Sequence, residues 1–248
     1  MVQKAIIYAA GRGVRLASEV PKALLEFGGR TLLEWHALRL SDAGVEEIVV
    51  VTGHLRAQIG GALPAISKRY QVVIHEIVNN RFHEGSILSL SASLPEIAGS
   101  TDPLLLMDAD VLYPGPMLQQ LIRSPQRTAL LLDRNFSTED DDPVLVPVKN
   151  GRPFDFCKKW SGKADFVGES IGIFKIAPED VPMLIQETRR RTEGKSCGDS
   201  YDDVLRVMVA AGVFGYEDVT GMPWTEIDFP SDIVRAGDEV LPAIERIK

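Results

Sequence analysis

The chain has 248 residues, with 27 lysines and arginines against 35 aspartates and glutamates, and a formal net charge of −8. This length suits one large domain or two small ones, and the acidic balance argues against a general nucleic-acid binder, which carries a basic excess. No apolar run approaches the roughly 18–20 residues of a membrane span and the N-terminus lacks a signal-peptide pattern, so we expect a cytoplasmic protein with no membrane partner.

A glycine-bearing, cationic loop follows the first predicted strand. Residues 5–8 form an apolar run typical of a buried strand, and the loop covers residues 9–16 and closes at 21–22. Its glycines let backbone N–H groups surround an anion, and Arg12, Arg15 and Lys22 add positive charge, which favours a polyphosphate ligand. The loop contains no Walker string, and Leu16 replaces the last glycine of the dinucleotide fingerprint. A surface loop with chance glycines is the alternative interpretation.

The loop also carries a family resemblance. The string A-A-G-x-G-x-R-L at 9–16, followed by P-K at 21–22, resembles the signature loop of the nucleotidyltransferases that make nucleotide-sugars and CDP-alcohols. The resemblance implies that Arg15 stabilises a leaving pyrophosphate and that Lys22 stabilises the α-phosphate. It also implies nucleotide contacts from the loop itself: Ala9, Ala10, Gly11, Arg12 and Gly13.

Strands and helices alternate over the next part of the chain. Thr31 and Glu34 form a capping-box pattern that predicts a helix ending near Gly44. A β-branched run at 47–52 predicts a strand buried on both faces, a helix is expected through 58–63, and a third strand is expected at 71–76. This alternation favours a mostly parallel, doubly wound sheet, which binds ligands at the carboxyl ends of its strands.

A polar segment opens the next predicted helix. Helix N-termini offer free N–H groups to ligands, although a plain capped helix explains the pattern equally well. In the cytidylyltransferases for phosphocholine and related phospho-alcohols, a similar segment lines the base and ribose. That resemblance implies nucleotide contacts from Asn79, Gly85, Ser86 and Ser89.

Two aspartates follow a buried apolar strand at 104–107. Asp108 and Asp110 share one face if the strand continues, and carboxylates there are costly unless paired or bound to a cation such as Mg²⁺. Strand-end capping is the alternative. The D-A-D string resembles the family's metal motif, which implies Asp110 as a Mg²⁺ ligand, with Asp108 beside the nucleotide or holding a water.

The second half of the chain has a different pattern. Strands are predicted at 128–133, 144–148 and 168–174, with a hairpin turn at 150–151. We interpret them as a small antiparallel insertion on the acceptor side of a cleft. The acidic run at 139–142 reads as a solvated loop, and Cys157 and Cys197 as ordinary thiols.

Acceptor contacts are expected from this half. Lys158 could meet a phosphate, with a solvated lysine as the alternative. An aromatic residue beside acids, Tyr201 with Asp202, can hold an ammonium group, although it also fits an acidic first helical turn, and Glu169 is a further candidate. Finally, a short strand is expected to end on Asp228, and the string at 226–232 resembles the E-I-D-x-x-x-D ending of the same cytidylyltransferases. It implies Asp228 as the second metal ligand, with a buried helix cap as the alternative.

Taken together, these features predict an α/β protein with a doubly wound, mostly parallel mixed sheet of the Rossmann-like nucleotidyltransferase type. We expect a single domain over 1–248, with a nucleotide-binding half at 1–125 and an acceptor-binding half with a C-terminal helix at 126–248. The resemblance implies a Mg²⁺-dependent enzyme that uses CTP and phosphocholine or 2-aminoethylphosphonate, and a homodimer is common for such domains. Alternatives are an inositol-phosphate or sugar-1-phosphate nucleotidyltransferase, a non-catalytic regulatory homologue, and a dinucleotide-dependent oxidoreductase.

Overall fold

The structure is a computed structural model that describes residues 2–16, 18–136, 143–193 and 199–247. The acidic run at 139–142 and Cys197 lie outside these residues. The described strands are β1 Lys4–Ala9, β2 Glu26–Phe27, β3 Arg30–Thr31, β4 Glu47–Thr52, β5 Val73–Val78, β6 Leu104–Asp108, β7 Val111–Leu112, β8 Thr128–Asp133, β9 Leu145–Lys149, β10 Arg152–Pro153, β11 Phe166–Ile176, β12 Phe214–Asp218 and β13 Thr225–Glu226. The described α-helices are α1 Leu32–Asp42, α2 Arg56–Tyr70, α3 Ile87–Ala98, α4 Gly115–Arg123, α5 Val181–Thr192, α6 Asp202–Ala210, α7 Pro230–Arg235 and α8 Leu241–Glu245.

Nine of these strands form one mixed sheet. Strands β5, β4, β1 and β6 lie side by side and are parallel, so β1 is at the centre and its loop leaves from the carboxyl edge. The long strand β11 then runs antiparallel to β6 and also pairs with β8 and β9. The antiparallel strands of the second half therefore extend the same sheet, and the predicted α/β fold is confirmed.

Helices cover both faces of the sheet, as predicted for a doubly wound fold. Ile7 points to the face that packs against α1, α2 and α4, whereas Ile6 points to the face that packs against α3, α5 and α6. Successive side chains of a strand alternate between faces, so an uninterrupted apolar run is what a sheet covered on both sides requires.

The local predictions are confirmed with two corrections. The Thr31–Glu34 capping box is present, and the turn at 150–151 joins β9 to β10. The third strand begins at Val73 and not at residue 71, because α2 continues to Tyr70 and Gln71 then takes a left-handed conformation (φ 56°) that ends it. The last short strand ends at Glu226 and does not reach Asp228.

Two small ladders lie outside the main sheet. β2 pairs with β3, and β13 pairs antiparallel with β7, so that Glu226 lies opposite Val111. This second ladder places the C-terminal segment beside the end of β6. Among the described residues, the helices are too short or too polar to cross a membrane.

Candidate active site

The cationic loop directs a lysine toward the carboxyl edge of the sheet. Gly13 has φ +55°, and a Cβ there would lie 3.2 Å from Lys22 Cγ. A glycine thus leaves room for the lysine stem to pass beneath the loop and supplies the left-handed conformation. Pro21 precedes the short 3₁₀ turn that begins at Lys22. Pro21 therefore sets where the Lys22 side chain begins, and Gly13 leaves the space through which it reaches the site.

Three carboxylates meet where the small ladder joins the end of β6. Asp110, Glu226 and Asp228 each offer an oxygen, and these oxygens lie within 4.8 Å of one another. The ladder between β7 and β13 continues in a hydrogen bond from Ile227 N to Asp110 O at 2.9 Å. Asp232 Oδ2 accepts from Asp228 N at 2.8 Å, which holds the last of the three in place. A set of three carboxylate oxygens fits a hard cation such as Mg²⁺.

Two basic side chains neutralise part of this cluster. Lys22 Nζ donates to Asp110 Oδ2 at 2.9 Å and to Asp228 Oδ1, and Arg15 Nη1 donates to Asp228 Oδ2 at 3.2 Å. Burial acts to lower the pKa of Lys22, but the charges of the two aspartates and their hydrogen bonds raise it above the usual value. Lys22 is therefore an ammonium ion that bridges two candidate metal ligands.

Asp108 and Glu226 lie close to other carboxylates, and their pKa values are raised. Asp108 is the last residue of β6, so the strand does not continue through both aspartates. Its carboxylate accepts from Tyr201 Oη and so does not share the contacts of Asp110. Burial, followed by the charge of Asp110, raises the pKa of Asp108 well above its usual range. Glu226 exposes part of its side chain, yet burial of its carboxyl and the charges of Asp110 and Asp228 raise its pKa as well. Excess negative charge here favours a cationic occupant.

Two cavities adjoin the carboxylate cluster. The larger, of about 290 Å³, contains Asp108, Asp110 and Glu226 in its wall, and the smaller, of about 270 Å³, contains Asp228. Lys22 Nζ connects them, because it bonds to one aspartate from each. The smaller cavity is lined by Gly13, Val14, Arg15, Lys22 and Asp228.

The structure brings about half of the predicted nucleotide contacts into the larger cavity. Asn79 is instead buried, where its Nδ2 donates to Ser89 Oγ at 3.1 Å and its Oδ1 accepts from Arg81 N at 2.9 Å. Asn79 therefore lies behind the larger cavity and bonds to Ser89, which lines it. The predicted nucleotide contacts that line this cavity are Ala10, Gly11, Ser86, Ser89 and Asp108, and those that do not are Ala9, Arg12, Gly13, Asn79 and Gly85.

The predicted acceptor residues divide similarly. Lys158, Tyr201 and Asp202 line the larger cavity. Glu169 is not among its lining residues and lies on β11 opposite Asp133 of β8. Three of the four therefore line the larger cavity, and all three come from the second half of the chain.

Several residues of the site were not predicted from the sequence, and two of them have a recognisable sequence signal. Glu226 was visible as an acid two positions before Asp228, the spacing that places side chains on one side of an extended segment. Gly172 lies in the interior of a predicted strand, which is a signal for a bulge, and β11 does change register between Ser170 and Phe174. The remaining cavity wall includes aromatic residues that no local pattern identified: Tyr8, Phe82, Phe156 and Phe174.

Comparison with known proteins assigns the family. A model described as the MobA-like NTP transferase domain matches residues 5–195. The chain belongs to this family. It is therefore a nucleotidyltransferase, and the family resemblance predicted from the loop is confirmed.

This nucleotidyltransferase is similar to two cytidylyl-transferring proteins over nearly its whole length. It is 24% identical over 254 residues to the CTP:phosphoglutamine cytidylyltransferase of Campylobacter jejuni, with 92% of this chain and 97% of that protein covered. It is 25% identical over 265 residues to the CMP-5'-(3-aminopropyl)phosphonate synthase of Streptomyces rubellomurinus, with 98% of this chain but only 40% of that protein covered. Among solved structures, the inositol-1-phosphate CTP transferase from T. maritima shares the fold, with a TM-score of 0.79, 22% identity and coverage of 100% of this chain and 96% of that one.

Proposed function

We propose that this nucleotidyltransferase is a Mg²⁺-dependent cytidylyltransferase that joins CMP from CTP to a small, amine-bearing phosphorylated or phosphonate acceptor, with release of pyrophosphate. The observation that carries the proposal is the pair of cavities that meet at Lys22 and the carboxylate cluster. In this proposal the smaller cavity takes the pyrophosphate end of CTP and the larger one takes the nucleoside and the acceptor, with the α-phosphate between them.

The proposed reaction needs no protein nucleophile. An acceptor oxygen forms a bond to the α-phosphorus, and the bond from that phosphorus to the α,β-bridging oxygen breaks, with its electron pair leaving on pyrophosphate. Catalysis then consists of positioning and charge neutralisation. A Mg²⁺ ion held by Asp110, Glu226 and Asp228 would supply positive charge at the α-phosphate.

The chain's own cations have complementary roles in this proposal. Lys22 bonds to the α-phosphate as negative charge builds, because its ammonium lies between the two cavities. Arg15 lines the smaller cavity and binds the leaving pyrophosphate together with the backbone N–H groups of residues 10–13. Removing one preorganised donor of this kind costs on the order of 10²–10³ in rate.

The charge of the larger cavity supports an amine-bearing acceptor. Apart from the acids assigned to Mg²⁺, its wall contains Asp108 and Asp202 as acidic residues, and Lys158 as a basic residue that can meet a phosphate or phosphonate. A zwitterion satisfies both kinds of group. The two similar proteins are named for phosphoglutamine and an aminopropylphosphonate, each of which combines phosphorus with nitrogen, and both names specify a cytidine nucleotide.

Pyrophosphate release across a matrix of substrates tests the proposal. CTP, UTP, GTP and ATP are each combined with Mg²⁺ and phosphocholine, 2-aminoethylphosphonate, inositol 1-phosphate or glucose 1-phosphate, with EDTA as the metal-free control. We expect release that needs Mg²⁺, CTP and an amine-bearing acceptor. Release only with inositol or sugar phosphate would refute the acceptor assignment, and nucleotide binding without release from any pair would favour a regulatory homologue.

A further inference from the structure

A tyrosine connects the acceptor side of the larger cavity to the metal side. Tyr201 Oη lies 2.6 Å from both oxygens of Asp108 and donates its one proton to that carboxylate, although the two residues lie 93 positions apart. This is the length of a strong bond between a hydroxyl and a carboxylate. Asp108 ends β6, and Asp110 of the carboxylate cluster follows two residues later. The hydroxyl therefore fixes the strand end from which the cluster begins.

A glycine in the neighbouring strand makes room for this pair. Gly172 has φ +74° and lies where β11 changes register. A Cβ at this position would collide with Asp108 Oδ2. Both the positive φ and the lack of space therefore disfavour any residue other than glycine at position 172. With a glycine there, the bulge leaves room for the Asp108 carboxylate at the position where Tyr201 bonds to it.

The rest of Tyr201 is already engaged. Its ring packs against Tyr8 and Phe174, with centroids 5.4 and 6.4 Å away, and the residue is 8% exposed. Its backbone N–H donates to Ser86 Oγ at 3.1 Å. The hydroxyl is used by Asp108 and most of the ring is covered, which leaves the neighbouring Asp202 as the more accessible group for an acceptor amine.

We propose that Tyr201 is a positioning residue, whose hydroxyl holds Asp108 and thereby sets the geometry of the Asp110–Glu226–Asp228 cluster. This inference rests on the proposed function and replaces the expected direct contact between Tyr201 and the acceptor. The acceptor is then bound without the hydroxyl, and loss of the hydroxyl affects the metal-dependent step.

The variant Tyr201→Phe tests the inference, because it keeps the packed ring and removes only the hydroxyl. The matched control is Tyr70→Phe, which removes a tyrosine hydroxyl that donates to Glu34 Oε1 at 3.5 Å, away from the cavities. Steady-state kinetics with CTP, Mg²⁺ and 2-aminoethylphosphonate give three readouts. For Tyr201→Phe we expect kcat to fall about tenfold, the range for a lost hydrogen bond to a charged group, and the Mg²⁺ concentration for half-maximal rate to rise about threefold. The KM for the acceptor should stay within about twofold, and Tyr70→Phe should match the wild type in all three.

In the kinetic assay, two outcomes would overturn the inference. An acceptor KM raised tenfold or more, with kcat and Mg²⁺ dependence unchanged, would show that the hydroxyl contacts the acceptor. Unchanged values throughout would show that it has no role.

If the wild type transfers no nucleotide, the proposed function fails, and a Mn²⁺ titration monitored by electron paramagnetic resonance tests the inference about Tyr201 separately. In that measurement Tyr201→Phe should bind Mn²⁺ about threefold more weakly than Tyr70→Phe, and equal binding, or no binding by either, would overturn the inference.

Discussion

The ammonium of Lys22 lies close enough to the carboxylate cluster to repel a metal cation that binds there. Removing this charge should therefore strengthen cation binding. The variant Lys22→Met keeps a long apolar stem but removes the charge that bridges Asp110 and Asp228. We expect it to lose activity and, in the absence of nucleotide, to bind Mn²⁺ more tightly than the wild type.

The magnitude follows from the geometry. Lys22 Nζ lies 2.9 Å from Asp110 Oδ2, so a cation bound to the same oxygen at about 2.1 Å lies within about 5 Å of the ammonium, and we take about 4 Å as a typical separation. Two unit charges at about 4 Å interact by about 1 kcal/mol in water, and a dication by about twice that. Removal of the ammonium should therefore raise Mn²⁺ affinity by at least about tenfold, since 1.4 kcal/mol is tenfold in an equilibrium constant. The rate of transfer should fall by about 10²–10³.

Lys4→Met is the matched control. Lys4 Nζ also bridges two carboxylates, Glu96 at 2.8 Å and Glu47 at 3.0 Å, and its side chain is as little exposed as that of Lys22, but it lies outside the two cavities. Mn²⁺ affinity is measured by electron paramagnetic resonance on nucleotide-free protein. Affinity for Mn²⁺ that is unchanged or weaker in Lys22→Met, relative to Lys4→Met, would refute the reasoning.

Three further predictions concern the cluster and its surroundings. Glu226→Gln should weaken Mn²⁺ binding about tenfold, because a neutral amide replaces one of three carboxylates, and equal affinity would exclude this residue as a ligand. Gly172→Ala should lower the free energy of unfolding in urea by more than about 1 kcal/mol, because of its positive φ and the collision with Asp108, and wild-type stability would refute the packing argument. Burial lowers the pKa of His36 to about 4 in the folded protein, opposed by the backbone of Ala109. The stability that the neutral ring contributes is therefore present above the unfolded-state pKa of about 6.5 and is lost as the pH falls toward 4. The loss amounts to about 2 kcal/mol at pH 5. In urea unfolding, His36→Gln should lack this part of the pH dependence.

Local sequence signals accounted for the elements that depend on neighbouring residues. The apolar run of β1, the capping box at Thr31 and the turn after β9 each reflect interactions over a few positions, and each lies where it was predicted. The boundary between α2 and β5 was placed two residues too early. The left-handed conformation of Gln71 that sets it is unusual for a non-glycine residue and has no strong local signal.

The candidate site depends more on contacts that the sequence does not display. Lys22, Asp110 and Asp228 were identified separately, but their direct hydrogen bonds depend on the ladder between β7 and β13. The bond between Tyr201 and Asp108 joins residues 93 positions apart and needs the bulge at Gly172 as well. Neither arrangement is encoded in one segment, so the sequence indicated these candidate residues but not the contacts between them.

The proposed transfer of a nucleotidyl group at the α-phosphorus to an amine-bearing acceptor is tested most directly by one ³¹P NMR experiment. The purified protein is incubated with CTP, Mg²⁺ and 2-aminoethylphosphonate, and the phosphorus species are followed over time. We expect pyrophosphate and a coupled pair of resonances from a CMP–phosphonate anhydride to grow together in equal amounts. Formation of orthophosphate and CDP, or of pyrophosphate and CMP without the coupled pair, would contradict it.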